Sequence, residues 1–138
     1  MKYFTMRELT RTSTGIRNVP GRQERESLIL LVEKVLDPLR EAYGEPIKVT
    51  SGFRSPAVNR KVGGAINSHH VRGQAADITS MSDDPKENRR ILELVKKIGI
   101  KYTQLINEYP DSHGNPNWVH ISYDPENLKC QNLTIRKK

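Results

Sequence analysis

The apolar residues of this chain follow two periodicities, and their order predicts a mixture of helices and strands. Between Glu24 and Tyr43 they recur every three or four residues, which is the spacing of an amphipathic helix. Pro38 lies inside this stretch and lacks a backbone donor, so we expect a kink or break near Asp37. A second helix is predicted over residues 82–99, where an acidic beginning, an apolar stripe and a final glycine follow one another.

Alternation with a period of two predicts strands in four places. These strands cover residues 47–50, 75–80, 101–109 and 117–123. The last two are separated by a turn-rich stretch that is short enough for a hairpin. Because helices and strands alternate irregularly, we expect an α+β fold, a single domain with a mostly antiparallel sheet flanked by helices.

A chain of 138 residues can build one core but hardly two. We expect residues 1–22 to be a lead-in segment with a short helix and a polar loop. Residues 23–125 then form the main domain, and residues 126–138 form a basic tail.

The charge balance suggests an anionic partner. The chain carries 23 Lys and Arg against 16 Asp and Glu, a net charge of +7, which suits a nucleic acid or a bacterial cell wall. The basic residues are scattered, however, and aromatic residues do not alternate with them as in a stacking surface. We therefore expect no nucleic-acid partner. Such a partner would produce retention on heparin that falls steeply with salt.

Cysteine content and hydropathy narrow the class of protein further. Cys130 is the one cysteine, which excludes an internal disulfide and a multi-cysteine zinc cluster. The chain contains no run of eighteen apolar residues, and its first residues lack an apolar stretch of signal-peptide length. We therefore expect no membrane insertion, and a protein that is cytoplasmic as synthesised.

The candidate chemistry begins in the stretch SHHVRGQAAD at residues 68–77, which contains His70 and Asp77. On the last predicted strand, alternation places His120 on the face opposite the aliphatic side chains. Glu108 can project from the neighbouring strand. Two histidines and one aspartate would leave a fourth tetrahedral position for water, as in catalytic zinc sites. Glu108 is then the candidate to take a proton from that water.

Other interpretations of these residues remain open at this point. A single histidine on a strand is more often exposed or hydrogen-bonded than a metal ligand. Non-haem iron oxygenases also use two histidines and a carboxylate. They usually place the first histidine and the carboxylate close together in sequence, whereas His70 and Asp77 are seven residues apart.

A longer pattern points to a family. The stretch SGFRSPAVNRKVGGAINSHHVRGQAADI at residues 51–78, followed by WVHIS at 118–122, resembles the zinc D-alanyl-D-alanine carboxypeptidase family. That family also includes D,D-dipeptidases and phage L-alanyl-D-glutamate endolysins. Its motif Ser-x-His-x-x-Gly-x-Ala-x-Asp is matched here by Ser68, His70, Gly73, Ala75 and Asp77. The resemblance extends from about Phe4 to about Tyr123 and implies the α+β fold shared with the hedgehog signalling domain.

The resemblance also implies a site and a reaction. His70, Asp77 and His120 would hold one zinc ion per chain. Glu108 would be the general base, and Arg54 would hold the scissile carbonyl or its oxyanion. The implied reaction is hydrolysis, by zinc-activated water, of a peptide bond next to a D-amino acid in peptidoglycan stem peptides.

The remaining residues near the predicted site receive less specific roles. Ser68 and Trp118 are candidates for substrate contact, although the Ser68 hydroxyl could equally cap its loop. His69 is expected beside the site or exposed, and His113 in a surface loop. The alternative function is a catalytically silent zinc-containing module that binds cell wall. A phage or prophage lysis protein is one setting, since a positive charge suits an anionic wall, and a bacterial dipeptidase is another.

Overall fold

A computed structural model describes residues 1–137, and within them the chain forms one five-stranded sheet flanked by helices. The strands are β1 (Ile47–Ser51), β2 (Ala75–Ser80), β3 (Gln104–Glu108), β4 (Trp118–Ser122) and β5 (Gln131–Ile135). Their order across the sheet is β1-β2-β4-β3-β5. The pairs β1–β2, β2–β4 and β3–β4 are antiparallel, whereas β3–β5 is parallel. The predicted α+β fold with a mostly antiparallel sheet is confirmed.

The helices are α1 (Met6–Thr10), α2 (Arg22–Leu31), α3 (Asp37–Tyr43), α4 (Pro56–Lys61) and α5 (Pro85–Lys97). A 3₁₀ turn covers His69–Arg72 between α4 and β2. Among residues 1–137, no helix combines the length and the apolar character needed to span a bilayer.

The long helix expected to kink near Asp37 is continuous but irregular. A π-helical turn, Val32–Leu36, joins α2 to α3, and the Asp37 N–H donates to the Val32 carbonyl. Proline has no N–H and its ring crowds the carbonyl four residues earlier, so a wider turn just before Pro38 accommodates it. The irregularity therefore lies where the sequence predicts it, as a widened turn.

The core lies on one face of the sheet. Ala76 on β2, Ile121 on β4 and Leu105 on β3 lie side by side across three strands, and all three are buried. The buried stripe of α5 belongs to the same cluster, and α5 packs against β2 and β4. Because side chains alternate along a strand, the neighbours of these core residues face the opposite side. That side carries the functional residues described below.

Both ends of the chain contribute to this architecture. Leu9 of α1 is fully buried, and its carbonyl accepts a 2.7 Å hydrogen bond from the Phe53 N–H. β5 lies in the stretch 126–138, where no strand was predicted. Its side chains are mostly exposed and only Leu133 and Ile135 are apolar, which is too short an alternation to predict a strand, so the strand is defined by backbone pairing with β3. The limits of the lead-in segment, the main domain and the tail stay a prediction.

Candidate metal centre

Three buried side chains converge on the face of the sheet away from the core. His70, Asp77 and His120 each offer one ligand atom, and these atoms all lie within 4.8 Å of one another. Oδ1 of Asp77 is 3.0 Å from Nδ1 of His120 and 3.3 Å from Nε2 of His70. The sequence therefore identified three residues that the fold brings together.

Strand register explains why two of these residues meet. Asp77 on β2 lies directly opposite His120 on β4 in the antiparallel pair. Residues directly opposite one another point to the same face, so the carboxylate and the imidazole become neighbours. On the other side of β2, Ser51 of β1 is paired with Asp77. This row of paired residues across three strands thus supplies two of the three cluster residues, Asp77 and His120.

His70 arrives from the loop before β2. Its backbone N–H donates to Oγ of Ser68 at 3.1 Å, which caps the 3₁₀ turn. Gly73 ends that turn with φ +71°, a left-handed conformation that suits glycine. Gly73 thus lets the chain leave the 3₁₀ turn and enter β2.

A hydrogen bond determines which nitrogen of His70 faces the cluster. Nδ1 of His70 lies 2.7 Å from the Gly52 carbonyl oxygen, which can only accept, so Nδ1 carries the proton. Nε2 is therefore the ring nitrogen that faces Asp77 and His120. Such an outer hydrogen bond orients a metal-binding imidazole and raises its basicity.

The electrostatics favour an ionised Asp77. Burial acts to raise the pKa of the Asp77 carboxyl, but His70 and His120 outweigh that effect and hold the pKa well below its usual range. Asp77 is therefore a carboxylate rather than a neutral acid, as metal binding requires.

Arg54 lies beside this cluster. Its Nη2 is 3.4 Å from Oδ2 of Asp77, and its backbone N–H donates to the His70 carbonyl at 3.1 Å. Only 16% of its side chain is exposed, so the charge is held in a fixed position next to the site. The structure thus places the predicted arginine within reach of a group bound at the centre.

Glu108 lies on the same face of the sheet. On β3, Ile106 is opposite His120 and Glu108 is opposite Trp118, so Glu108 is diagonal to His120. The carboxyl is half-buried, and burial together with Asp77 raises its pKa, while His120 and Arg54 act in the opposite direction. Among the described residues, the group that could hold a metal comprises His70, Asp77 and His120, and Glu108 stands outside it.

The remaining predicted residues occupy different surroundings. Trp118 faces Glu108 across the strand pair and contacts the Tyr109 ring edge to face, with centroids 4.9 Å apart. The Ser68 hydroxyl caps the 3₁₀ turn, which is the structural alternative foreseen for it.

The two other histidines lie outside the group that could hold a metal. His69 is partly buried; burial first, and Arg72 next, lower its pKa to about 4, so its ring is neutral at pH 7. His113 is exposed in the turn between β3 and β4. Both placements match what was expected of them.

Sequence reasoning missed two supporting residues. The carbonyl of Gly52 holds His70, and a side chain at Gly52 would overlap the Leu9 carbonyl, so this close approach requires glycine. Asn59 is buried, and its Oδ1 accepts a hydrogen bond from Nη1 of Arg54.

The donor set fits one zinc ion. Two imidazole nitrogens and a carboxylate oxygen are ligands that zinc prefers, and here they are buried and close together. Three protein ligands rather than four leave a coordination position open, which distinguishes catalytic from structural zinc sites.

Comparison with known proteins agrees with this geometry. A family model described as Peptidase M15 matches residues 2–122. The zinc D-Ala-D-Ala carboxypeptidase of Streptomyces albus G is 40% identical over 78 residues, which are 54% of this chain and 30% of that protein. The chain thus matches less than a third of the length of this relative. Because the family match covers most of the chain and includes all three residues of the metal cluster, this chain belongs to the Peptidase M15 family, as its resemblance to the zinc D,D-carboxypeptidases predicted.

Proposed function

We propose that this protein is a zinc-dependent peptidase that hydrolyses a peptide bond next to a D-amino acid in peptidoglycan stem peptides. One observation carries the proposal: the buried cluster of His70, Asp77 and His120 has a half-buried carboxyl, Glu108, beside it on the same face of the sheet. Family membership and the named activity of the Streptomyces albus G relative support it.

The proposed zinc ligands are Nε2 of His70, a carboxylate oxygen of Asp77 and Nδ1 of His120. When bound, zinc supplies a Lewis acid for a carbonyl oxygen and lowers the pKa of coordinated water to roughly 7. The surrounding side chains then have two tasks: to transfer a proton from the attacking water to the leaving amine, and to stabilise the negative charge that develops on the carbonyl oxygen.

Glu108 is proposed to move the proton. Its carboxylate accepts a proton from the attacking water while the water oxygen bonds to the scissile carbon. The same proton then passes to the nitrogen of the leaving amine as the C–N bond breaks. The pKa of Glu108 is raised by burial and by Asp77, which brings it closer to neutral pH and suits a group that both accepts and donates.

Arg54 is proposed to stabilise the charge. The scissile carbonyl oxygen becomes an oxyanion during attack, and a cation already held in position costs no reorganisation at that moment. Arg54 is held in this way by its contacts beside Asp77. Trp118, which lies opposite Glu108, is proposed to contact the substrate. Ser68 is proposed to hold the loop of His70 in place and to contact the substrate from that loop.

The biological setting proposed is cell-wall degradation, by a phage or prophage endolysin or by a bacterial dipeptidase. The net charge of +7 suits an anionic wall. The bond that is cut would be read from the products. Free D-alanine indicates a carboxypeptidase or dipeptidase, whereas a new amino terminus at D-glutamate indicates an endopeptidase.

The test measures zinc content and muropeptide hydrolysis on the same samples of wild type and Glu108→Gln. We expect about one zinc per chain in both and a fall in kcat of roughly 10²–10⁴-fold in the variant, the usual contribution of a general base. Glu45→Gln, which changes an exposed carboxylate before β1, is the matched control and should keep full activity.

Two results would overturn the proposal. Full activity in Glu108→Gln would exclude Glu108 as the base. Zinc binding without hydrolysis of any stem peptide, together with cosedimentation with purified cell walls, would indicate the catalytically silent binding module instead.

A further inference from the structure

The Arg54 guanidinium is held from three directions. Nε donates to Oγ of Ser51 at 3.0 Å, Nη1 to Oδ1 of Asn59 at 3.2 Å, and Nη2 approaches Oδ2 of Asp77 at 3.4 Å. A guanidinium has five N–H groups, and these contacts engage one on each nitrogen. One N–H on Nη1 and one on Nη2 are thus left to meet a substrate oxygen.

Asn59 is the partner that the proposed reaction does not use directly. It lies on α4, its residue surface is 4% exposed, and both ends of its carboxamide are bonded. Its Nδ2 donates to the Ala65 carbonyl at 2.9 Å, which can only accept. The amide orientation is therefore determined chemically, and Oδ1 must face Arg54.

The surrounding loop is shaped to keep Asn59 in this position. The Gly64 N–H donates to the Asn59 carbonyl at 2.9 Å, which folds the loop back onto α4. A Cβ at Gly64 would overlap Oδ1 of Asn59 and lie 2.8 Å from Nη1 of Arg54. Only glycine leaves room for the Asn59–Arg54 contact.

Asn59 also opposes a competing arrangement. Arginine and a carboxylate prefer a fork with two parallel hydrogen bonds. Arg54 instead makes one long contact to Asp77, because its Nε and Nη1 are directed to Ser51 and Asn59. A full fork would need a second N–H, from Nε or Nη1, and would turn the guanidinium towards Asp77 instead of towards a substrate oxygen.

We propose that Asn59 is a positioning residue that holds Arg54 in the orientation used for substrate, with Gly64 providing the space. This inference rests on the proposed role of Arg54 in stabilising the oxyanion. It assigns to the Asn-x-x-x-x-Gly stretch at residues 59–64 a function in catalysis that acts through Arg54.

The first test compares Asn59→Ala with Asn59→Asp on the muropeptide whose hydrolysis by wild type the zinc experiment identifies. Asn59→Ala removes the acceptor for Arg54, and we expect kcat to fall about 10–100-fold with zinc content retained and KM little changed. Asn59→Asp keeps an acceptor oxygen but loses the donor to Ala65, and it should recover most of kcat. Asn67→Ala, an exposed asparagine in the same loop, is the matched control.

A purely structural role predicts the opposite order. If Asn59 served only to anchor the loop, Asn59→Asp would be as impaired as Asn59→Ala, because both lose the bond to Ala65. That result, or wild-type kcat in Asn59→Ala, overturns the proposal. A double-mutant cycle adds a second criterion: once Arg54→Ala is present, Asn59→Ala should lower kcat no further.

A third measurement does not depend on turnover. In ¹⁵N NMR spectra of the zinc-loaded protein, the Nη signals of Arg54 should be resolved in wild type and Asn59→Asp, since rotation is restricted. They should merge in Asn59→Ala. If no peptide is cut by any variant, the proposed function fails, and the spectra alone decide whether Asn59 orients Arg54. Unchanged spectra in Asn59→Ala would overturn the positioning role.

Discussion

At the residue scale, a backbone carbonyl determines how one of the candidate metal ligands is oriented. The two cluster histidines present different ring nitrogens, because Nδ1 of His70 is bonded to the Gly52 carbonyl while Nδ1 of His120 faces Asp77. The position of Gly52 depends in turn on its close approach to Leu9. A substitution far from the metal cluster, in α1, can thus act on a ligand through one hydrogen bond.

Gly73 and Gly63 offer a matched pair of substitutions at this scale. Both have a left-handed φ, but a Cβ at Gly73 would overlap the Glu24 carbonyl, whereas a Cβ at Gly63 meets nothing within 4 Å. We expect Gly63→Ala to lower the free energy of unfolding by about 1 kcal/mol from backbone strain alone. Gly73→Ala should cost more than about 2 kcal/mol, because the overlap adds to that strain. Urea unfolding measures both, and equal losses would contradict the assigned contact.

Tyr43 predicts a loss of stability at alkaline pH. Burial, followed by its hydrogen bond to Glu87, raises the pKa of the Tyr43 phenol to about 12 from 10.0. The unfolded chain therefore releases this proton first, so the stabilising contribution is complete below pH 10 and is lost as the pH rises through 12. Between these values the free energy of unfolding should fall more steeply in wild type than in Tyr43→Phe. Parallel slopes for the two proteins would show that the phenol does not contribute.

At the element scale, the strand that carries Glu108 is held on both sides. β3 pairs with β4 on one edge and with β5 on the other, where Glu108 lies opposite Ile135. The next residue, Tyr109, has φ +49° and donates its N–H to the Ile135 carbonyl at 2.7 Å. β5 lies beyond residues 2–122, which the family model matches. The hydrogen bonds that hold the outer edge of β3, and with it Glu108, therefore come from a part of the chain outside that match.

Truncation tests that support. A chain ending at Lys129 lacks β5, and it should lose on the order of 2–4 kcal/mol of unfolding free energy through the lost strand hydrogen bonds. A chain ending at Ile135 keeps the strand and should be close to wild type. Thermal unfolding compares the two. If both truncations behaved alike, β5 would not stabilise the edge of β3.

At the scale of the whole molecule, the metal cluster links parts of the chain that are distant in sequence. His70 lies on the 3₁₀ turn, Asp77 on β2 and His120 on β4. A ligand that binds all three in the folded state cannot bind them together in the unfolded chain. Zinc should therefore stabilise the fold as a whole and not only the loop of His70.

Zinc removal measures that stabilisation. Free zinc at about 1,000 times Kd should add about 4 kcal/mol, and chelation should lower Tm accordingly. Asp77→Asn should abolish the zinc-dependent shift in Tm. Glu108→Gln should keep it, because Glu108 stands outside the group that could hold a metal. A loss of the shift in Glu108→Gln would instead place its carboxylate among the ligands.

Much of the architecture followed from local patterns. The long helices and four of the strands were predicted because their apolar periodicity coincides with the buried faces that the fold uses. The widened turn before Pro38 followed from proline chemistry, although its π-helical form did not. β5 was not predicted, because only Leu133 and Ile135 alternate in it and its pairing partner lies over twenty residues away in sequence.

The amino-acid sequence was sufficient to identify the family and the three residues that can meet around a metal, because both depend on residue types at defined spacings along the chain. The three-dimensional fold was needed to learn which nitrogen of His70 faces the cluster, where Arg54 is directed and how far Glu108 is buried. Those features depend on hydrogen bonds and packing to Gly52, Asn59 and Asp77 across loops and strands. Such contacts form between groups distant in sequence, and local patterns do not specify their distances.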